Sequence, residues 1–126
     1  MRGRSLVCGV LLAGSVACFA TDFGGWIRKV PAKDHARANP YANQAAAIAA
    51  GASLFQENCA KCHGEQAEGR PGRPSLLGED VRKASDGDLA WILKNGQIFR
   101  GMPSWAALPE QERWQLVAYL RSLNSK

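Results

Sequence analysis

Residues 57–66 read Glu-Asn-Cys-Ala-Lys-Cys-His-Gly-Glu-Gln, with Cys59 and Cys62 three apart and His63 directly after the second. Three chemistries could use such a cluster. An exchange-active Cys-x-x-Cys pair would belong in an alternating strand–helix unit, and no stretch of this chain alternates like a strand for long. A zinc site would need a fourth ligand. The only other histidine is His35, there is no second Cys-x-x-Cys, and adjacent Cys and His side chains point apart on a helix. The third chemistry is covalent haem attachment, for which Cys-x-x-Cys-His is the signature. Cysteines at i and i+3 face one side of a helical turn and match two vinyl groups on one porphyrin edge. His63, one residue on, then reaches the iron.

A haem reading makes demands elsewhere. The sixth iron position is commonly filled by a methionine thioether, which raises the reduction potential. Apart from Met1 the chain has one methionine, Met102, 39 positions after His63, in Gly101-Met102-Pro103. A methionine between Gly and Pro in a polar loop is poorly explained as core filler. His35 is the rival ligand, and a vacant position the other alternative. The histidine bound to metal also needs an acceptor for its second ring nitrogen. Pro74, in Arg73-Pro74-Ser75-Leu76-Leu77-Gly78, offers a carbonyl with no amide of its own, and Leu76 would press on the haem edge. A plain turn is the alternative reading of that stretch.

Composition narrows the setting. The chain has 126 residues, enough for one domain. Arg2 and Arg4 precede an apolar run from Leu6 to Ala17, too short for a stable span of about 20 residues and suited to a secretory signal. Cleavage after Ala20 would leave a soluble periplasmic protein. Cleavage before Cys18 would leave a lipid-anchored cysteine facing the periplasm, and an uncleaved anchor is the third option. The expected organisation is a signal at 1–20, a linker or arm at 21–43 and one domain at 44–126. Two of the four cysteines, Cys8 and Cys18, lie in or beside the signal. A bridge between the remaining two would close a tiny loop and constrain little. The formal charge of +5 is concentrated early, since residues 43–126 carry ten basic and nine acidic groups. There is no basic stripe for a nucleic-acid backbone.

The elements that must position these residues read as helices. Ile48, Ala52, Phe55 and Cys59 recur at helical spacing in an alanine-rich stretch, with Asn43 as the expected cap and an end near residues 59–61. Residues 64–80 are rich in Gly and Pro and read as loop. Ser85 and Asp88 form a capping-box pattern ahead of Leu89, Ile92 and Leu93, and Asn95-Gly96 is a stop. Residues 97–108 form a second loop. Pro109 opens a last helix with Leu116, Tyr119, Leu120 and Leu123 as its stripe. In residues 21–42, Gly24, Gly25, Pro31 and Pro40 interrupt any period. Trp26, Ile27 and Val30 could dock there, or the segment could be a mobile tether. The sum is an all-α domain of three to four helices and long loops, too small for an ample core without a staple or cofactor.

Taken together, Gly51-x-x-x-Phe55, Cys59-Ala60-Lys61-Cys62-His63, the Pro74–Gly78 loop, Arg100-Gly101-Met102-Pro103-Ser104-Trp105, Trp114 and Leu116–Leu120 resemble a bacterial class I c-type cytochrome. They are most similar to the small single-haem domains of cbb3 oxidase subunit III and of cytochromes that accompany quinoprotein dehydrogenases. The resemblance covers about residues 44–124 and implies the class I cytochrome c fold around one haem c, covalent through Cys59 and Cys62 and ligated by His63 and Met102. It implies that the first and last helices cross closely at Gly51, with Phe55 against Leu116 and Tyr119. It implies polar loop groups on the haem propionates, for which Arg73, Arg100 and Trp105 are the candidates. It further implies a monomeric electron carrier, not an enzyme, meeting redox donor and acceptor proteins transiently, with electrons passing near Ala60, Lys61 and the Met102–Pro103 loop. A dehydrogenase or bc1-type donor and a terminal oxidase acceptor fit that role. A dedicated dehydrogenase subunit is the alternative within the class. A haem enzyme or gas sensor is the alternative outside it, should Met102 be off the iron.

Overall fold

The structure, a computed structural model, describes residues 23–125. The signal and lipidation sites expected at 1–20 lie outside the described residues. Six helices follow in order: α1 Ala32–His35, α2 Ala45–Asn58, α3 Ala60–His63, α4 Glu79–Lys83, α5 Asp86–Asn95 and α6 Glu110–Asn124. Short 3-10 turns lie at Phe23–Lys29 and Ile98–Arg100. Among the described residues there is no strand, only isolated bridges at Arg70–Arg73 and Gln97–Met102. The fold is all-α, as the resemblance implies.

The longest contact runs between α2 and α6. It forms because Gly51 brings the α2 backbone against α6. A Cβ there would collide with the Gln115 carbonyl and with Tyr119 Cβ. Phe55, 1 % exposed, lies beside this crossing, with its ring centroid 5.4 Å from that of Tyr119. Leu116, Val117 and Leu120 complete the buried face of α6. Full burial of each such side chain is worth about 1.5–3 kcal/mol. The buried stripe of α2 is Ala47, Gly51 and Phe55, one position away from the Ile48–Ala52 line the sequence suggested. Small residues face α6 because the helices cross so closely.

Helix ends follow their caps with two corrections. Ser85 accepts from the Asp88 amide, Asp88 accepts from the Ser85 amide, and Gly96 (φ 66°) ends α5. Pro109 precedes α6 as expected. The N-cap of α2 is Gln44, without a side-chain bond, while Asn43 sits at φ 60°. The loop from Gly64 stops at Gly78, because Glu79–Lys83 makes a one-turn helix too short to leave a period in the sequence. Arg121 ties that corner to α6. Its Nε donates to Asp86 Oδ1 at 2.6 Å and its Nη1 to the Val81 carbonyl at 2.7 Å, and Nη2 reaches the Ala84 carbonyl.

The segment before α2 is docked rather than trailing. Trp26, Ile27 and Tyr41 pack against the core. Asn39 is buried and donates to the Trp114 carbonyl at 2.9 Å. The α1 backbone presses on Gly87, where a Cβ would meet the Asp34 and His35 carbonyls.

Candidate functional site

Cys59 sits at the joint between α2 and α3, with φ −117° interrupting an otherwise continuous path. The Cys62 and His63 amides both donate to the Cys59 carbonyl, at 3.1 and 2.9 Å. The joint therefore winds the motif into one compact turn. Both thiols are free. Burial, with a smaller contribution from Cys62, pushes the Cys59 thiol up to about 11. A thiol so protonated is a poor nucleophile in disulfide exchange. Among the described residues no three His, Cys, Asp or Glu side chains are grouped to hold a metal ion.

His63 Nδ1 lies 2.9 Å from the Pro74 carbonyl oxygen. A carbonyl only accepts, so Nδ1 carries the proton and Nε2 keeps its lone pair. The loop is built to return Pro74 to this point. Pro71-Gly72, with Gly72 at φ 73°, turns the chain as a Pro-Gly corner does, and Arg70 and Arg73 exchange amide bonds across it at 3.1 and 2.8 Å. Gly69 donates to the His63 carbonyl at 2.6 Å and Leu76 to the Ala67 carbonyl at 2.8 Å. Leu76 is half-buried against the core, and its carbonyl accepts from Asn124 at 2.9 Å.

Met102 closes a small hairpin. Its amide donates to the Gln97 carbonyl at 3.1 Å, and its carbonyl accepts from Gln97 at 2.9 Å. Its side chain packs at the core margin, as do those of Cys59, Leu76, Trp105 and Leu108. Arg73 and Arg100 come together, with Arg73 Nη1 donating to the Arg100 carbonyl at 3.2 Å, so the Pro74 loop touches the Met102 loop. Trp105 is anchored through its amide on the Leu93 carbonyl at 2.9 Å. His35 is engaged elsewhere, with Nδ1 2.9 Å from Asp88 Oδ1. Ala60 is buried, which removes it from the surface expected for electron exit, while Lys61 is exposed. Arg113 and Asn124, which carry no site motif in the sequence, both bind loop carbonyls. Arg113 was visible in principle, since with Leu116, Val117 and Leu120 it falls on the apolar stripe of α6, where a charge requires partners.

The donor set fits a covalently held haem c: two unpaired thiols on one turn, an imidazole whose Nδ1 is engaged and whose Nε2 is left over, and a thioether on a braced loop. Residues 46–120 match the family model described as cytochrome c oxidase, cbb3-type, subunit III. A cytochrome c-553-like protein of Synechocystis is 37 % identical over 89 residues, covering 68 % of this chain and 81 % of the relative. Cytochrome c-554(547) of Halothiobacillus neapolitanus is 35 % identical over 86 residues, covering 60 % of this chain and 94 % of the relative. The cbb3-type cytochrome c oxidase subunit FixP of Rhizobium etli is 59 % identical over 81 residues, which is 57 % of this chain but 28 % of that subunit. The chain thus spans about a third or less of the cbb3 subunits it matches. The motif, the all-α fold and these matches together make the chain a member of the bacterial class I c-type cytochromes, an electron-transfer family.

Proposed function

We propose that the chain is an exported one-electron carrier that holds one haem c through thioethers from Cys59 and Cys62, with His63 and Met102 as the axial ligands. The observation that carries this reading is the His63–Pro74 hydrogen bond. It holds Nδ1 as a donor and leaves Nε2 available to a metal, which supports His63 as a ligand. Haem c, when bound, supplies an iron centre that gains and loses one electron.

The chain's own residues account for the rest of the function. The α2–α3 joint presents both thiols from one turn. Pro74 orients the His63 ring. The Gln97–Met102 hairpin holds the thioether-bearing residue, and a haem iron held by both His63 and Met102 would leave small oxidants no point of entry. Leu76 is the proposed apolar wall, and Arg73, Arg100 and Trp105 the proposed propionate partners. Apolar surface suited to a small, transient redox interface lies at Ile98 and Phe99, 72 % and 106 % exposed, on the tip of that same hairpin. Lys61 is exposed on the cysteine side.

The donor is proposed to be a dehydrogenase or bc1-type complex and the acceptor a terminal oxidase, met in the periplasm by a monomer. No helix among the described residues is long and apolar enough to cross a membrane. The cbb3 subunits among the relatives favour a second reading, a cytochrome dedicated to one larger complex, which co-purification would reveal. The test of the primary reading is a visible spectrum, oxidised, reduced, and reduced under carbon monoxide. A haem c spectrum unchanged by carbon monoxide is expected. A shift would show an open sixth position and turn the reading toward a haem enzyme or gas sensor. Absence of any haem spectrum would leave a non-haem binding module.

A further inference from the structure

We propose that Arg113 is the positioning residue for Met102. The inference rests on Met102 as an axial ligand and goes beyond it by naming what holds the ligand loop in place. Arg113 is 8 % exposed. A charged side chain on a residue so buried needs acceptors, and Arg113 finds them in backbone carbonyls. Nη1 donates to the carbonyls of Ala106 at 3.2 Å and Leu108, and at a longer 3.4 Å to that of Trp105. These three residues follow Met102-Pro103-Ser104 almost directly. Their carbonyls converge on one point of α6.

Between Met102 and those carbonyls, the chain is also tied to α5. Ser104 Oγ donates to the Lys94 carbonyl at 2.5 Å and the Trp105 amide to the Leu93 carbonyl at 2.9 Å. Both acceptors belong to the last turn of α5, which has no helical donors for them. The Gln97 hairpin completes that attachment. The chain carrying Met102 is therefore suspended between the end of α5 and the start of α6, and Arg113 is the α6 anchor. A thioether is a neutral, weak ligand, so its retention depends on how firmly its loop is held. Without the guanidinium, the Ala106 and Leu108 carbonyls lose this donor while the Trp105 carbonyl keeps the Leu108 amide at 3.1 Å, and residues 106–108 must relax toward water. That slack reaches Met102 through Trp105, Ser104 and Pro103, opposed by the two bonds that hold Ser104 and Trp105 to the end of α5.

The test uses the full chain with haem incorporated. Arg113→Met keeps length and burial but removes the donors. Arg113→Lys keeps the charge but replaces the planar fork with a point donor. Three readouts separate positioning from plain stability: the thioether-to-iron charge-transfer band of the oxidised protein followed into alkaline pH, carbon monoxide binding by the reduced protein, and hydrogen exchange at the Trp105 and Leu108 amides. Arg113→Met is expected to lose the band about one pH unit earlier, and to bind carbon monoxide and exchange those amides roughly tenfold faster, the effect of one unsatisfied buried group. The α2 amides should not change, and Arg113→Lys should fall between the two. A lower melting temperature with an unchanged band and unchanged carbon monoxide behaviour would overturn the proposal. If Arg113→Met does not accumulate folded, an unchanged band in Arg113→Lys overturns it equally. A parent protein that lacks the band refutes the Met102 ligation itself, and the positioning role falls with it.

Discussion

At the residue scale, the site is legible because its chemistry is local. Covalent attachment needs two thiols and an imidazole on one turn, so Cys59, Cys62 and His63 are contiguous in the sequence. Met102 stands out as the proposed ligand for a different reason: residues 44–126 hold no other methionine, and the rival His35 is engaged with Asp88. The place of Arg113 on the α6 stripe shows that it needs partners, but not which, because they are backbone carbonyls, which no sequence pattern spells. Met102→Ala should leave the haem attached but open the sixth position. The reduced variant should then bind carbon monoxide and show a lower midpoint potential in a redox titration, since the thioether favours the reduced state. The haem-free chain offers a second check. Burial raises the Cys59 thiol to about 11, so the folded state holds its proton more tightly than the unfolded chain does. Its contribution is therefore present below the ordinary thiol range and declines as pH rises through that range toward 11. At neutral pH, alkylation of folded Cys59 should lag behind that of the denatured chain by roughly a hundredfold, read by mass spectrometry after timed labelling.

At the element scale, α5 and α6 announce themselves through Ser85–Asp88, Gly96 and Pro109, because capping demands particular residue types. The α4 turn does not, since five residues carry no period. The buried face of α2 is displaced by one position from its hydrophobic pattern for a related reason. Burial there is decided by how closely α6 approaches, and the closest approach selects Ala47 and Gly51 over Ile48. Gly51→Val should accordingly cost about 1–3 kcal/mol, as overpacking does, because the Gln115 carbonyl in its way is backbone and cannot swing aside. Gly78→Ala is the control. It has open space and an extended φ of 174°, so its melting temperature should stay close to that of the parent.

At the scale of the whole molecule, the least legible feature is the segment before α2. Its attachments are three scattered apolar side chains (Trp26, Ile27 and Tyr41), single polar contacts and one backbone-to-glycine approach, none of them periodic. Together they lay it across α5 and α6. Arg37 reaches Glu110 and lies over the Trp114 ring, 5.0 Å from its centroid. Asn39 binds the Trp114 carbonyl, and His35 meets the wholly buried Asp88. These contacts fall on the first turns of α5 and α6, and α6 also supplies Arg113. A segment that looks like a leash thus braces the helices that carry the Met102 loop. Gly87→Ala tests the docking, because the added methyl meets the Asp34 and His35 carbonyls. Trypsin should then cut at Lys33 or Arg37 well before the parent protein is cut there, while the α2–α6 pair stays intact. Equal cleavage rates would mean that the segment is held by its other contacts alone. Acid should loosen the same brace. The Arg37 guanidinium holds the Glu110 carboxyl below its usual value, so the contribution of this pair is present above the ordinary carboxylate range and fades as pH falls through the lowered value. The pair is exposed and its effect modest. Acid-enhanced cleavage at Arg37 should therefore be small in the parent, larger in Asn39→Ala, and abolished as a pH effect in Glu110→Gln.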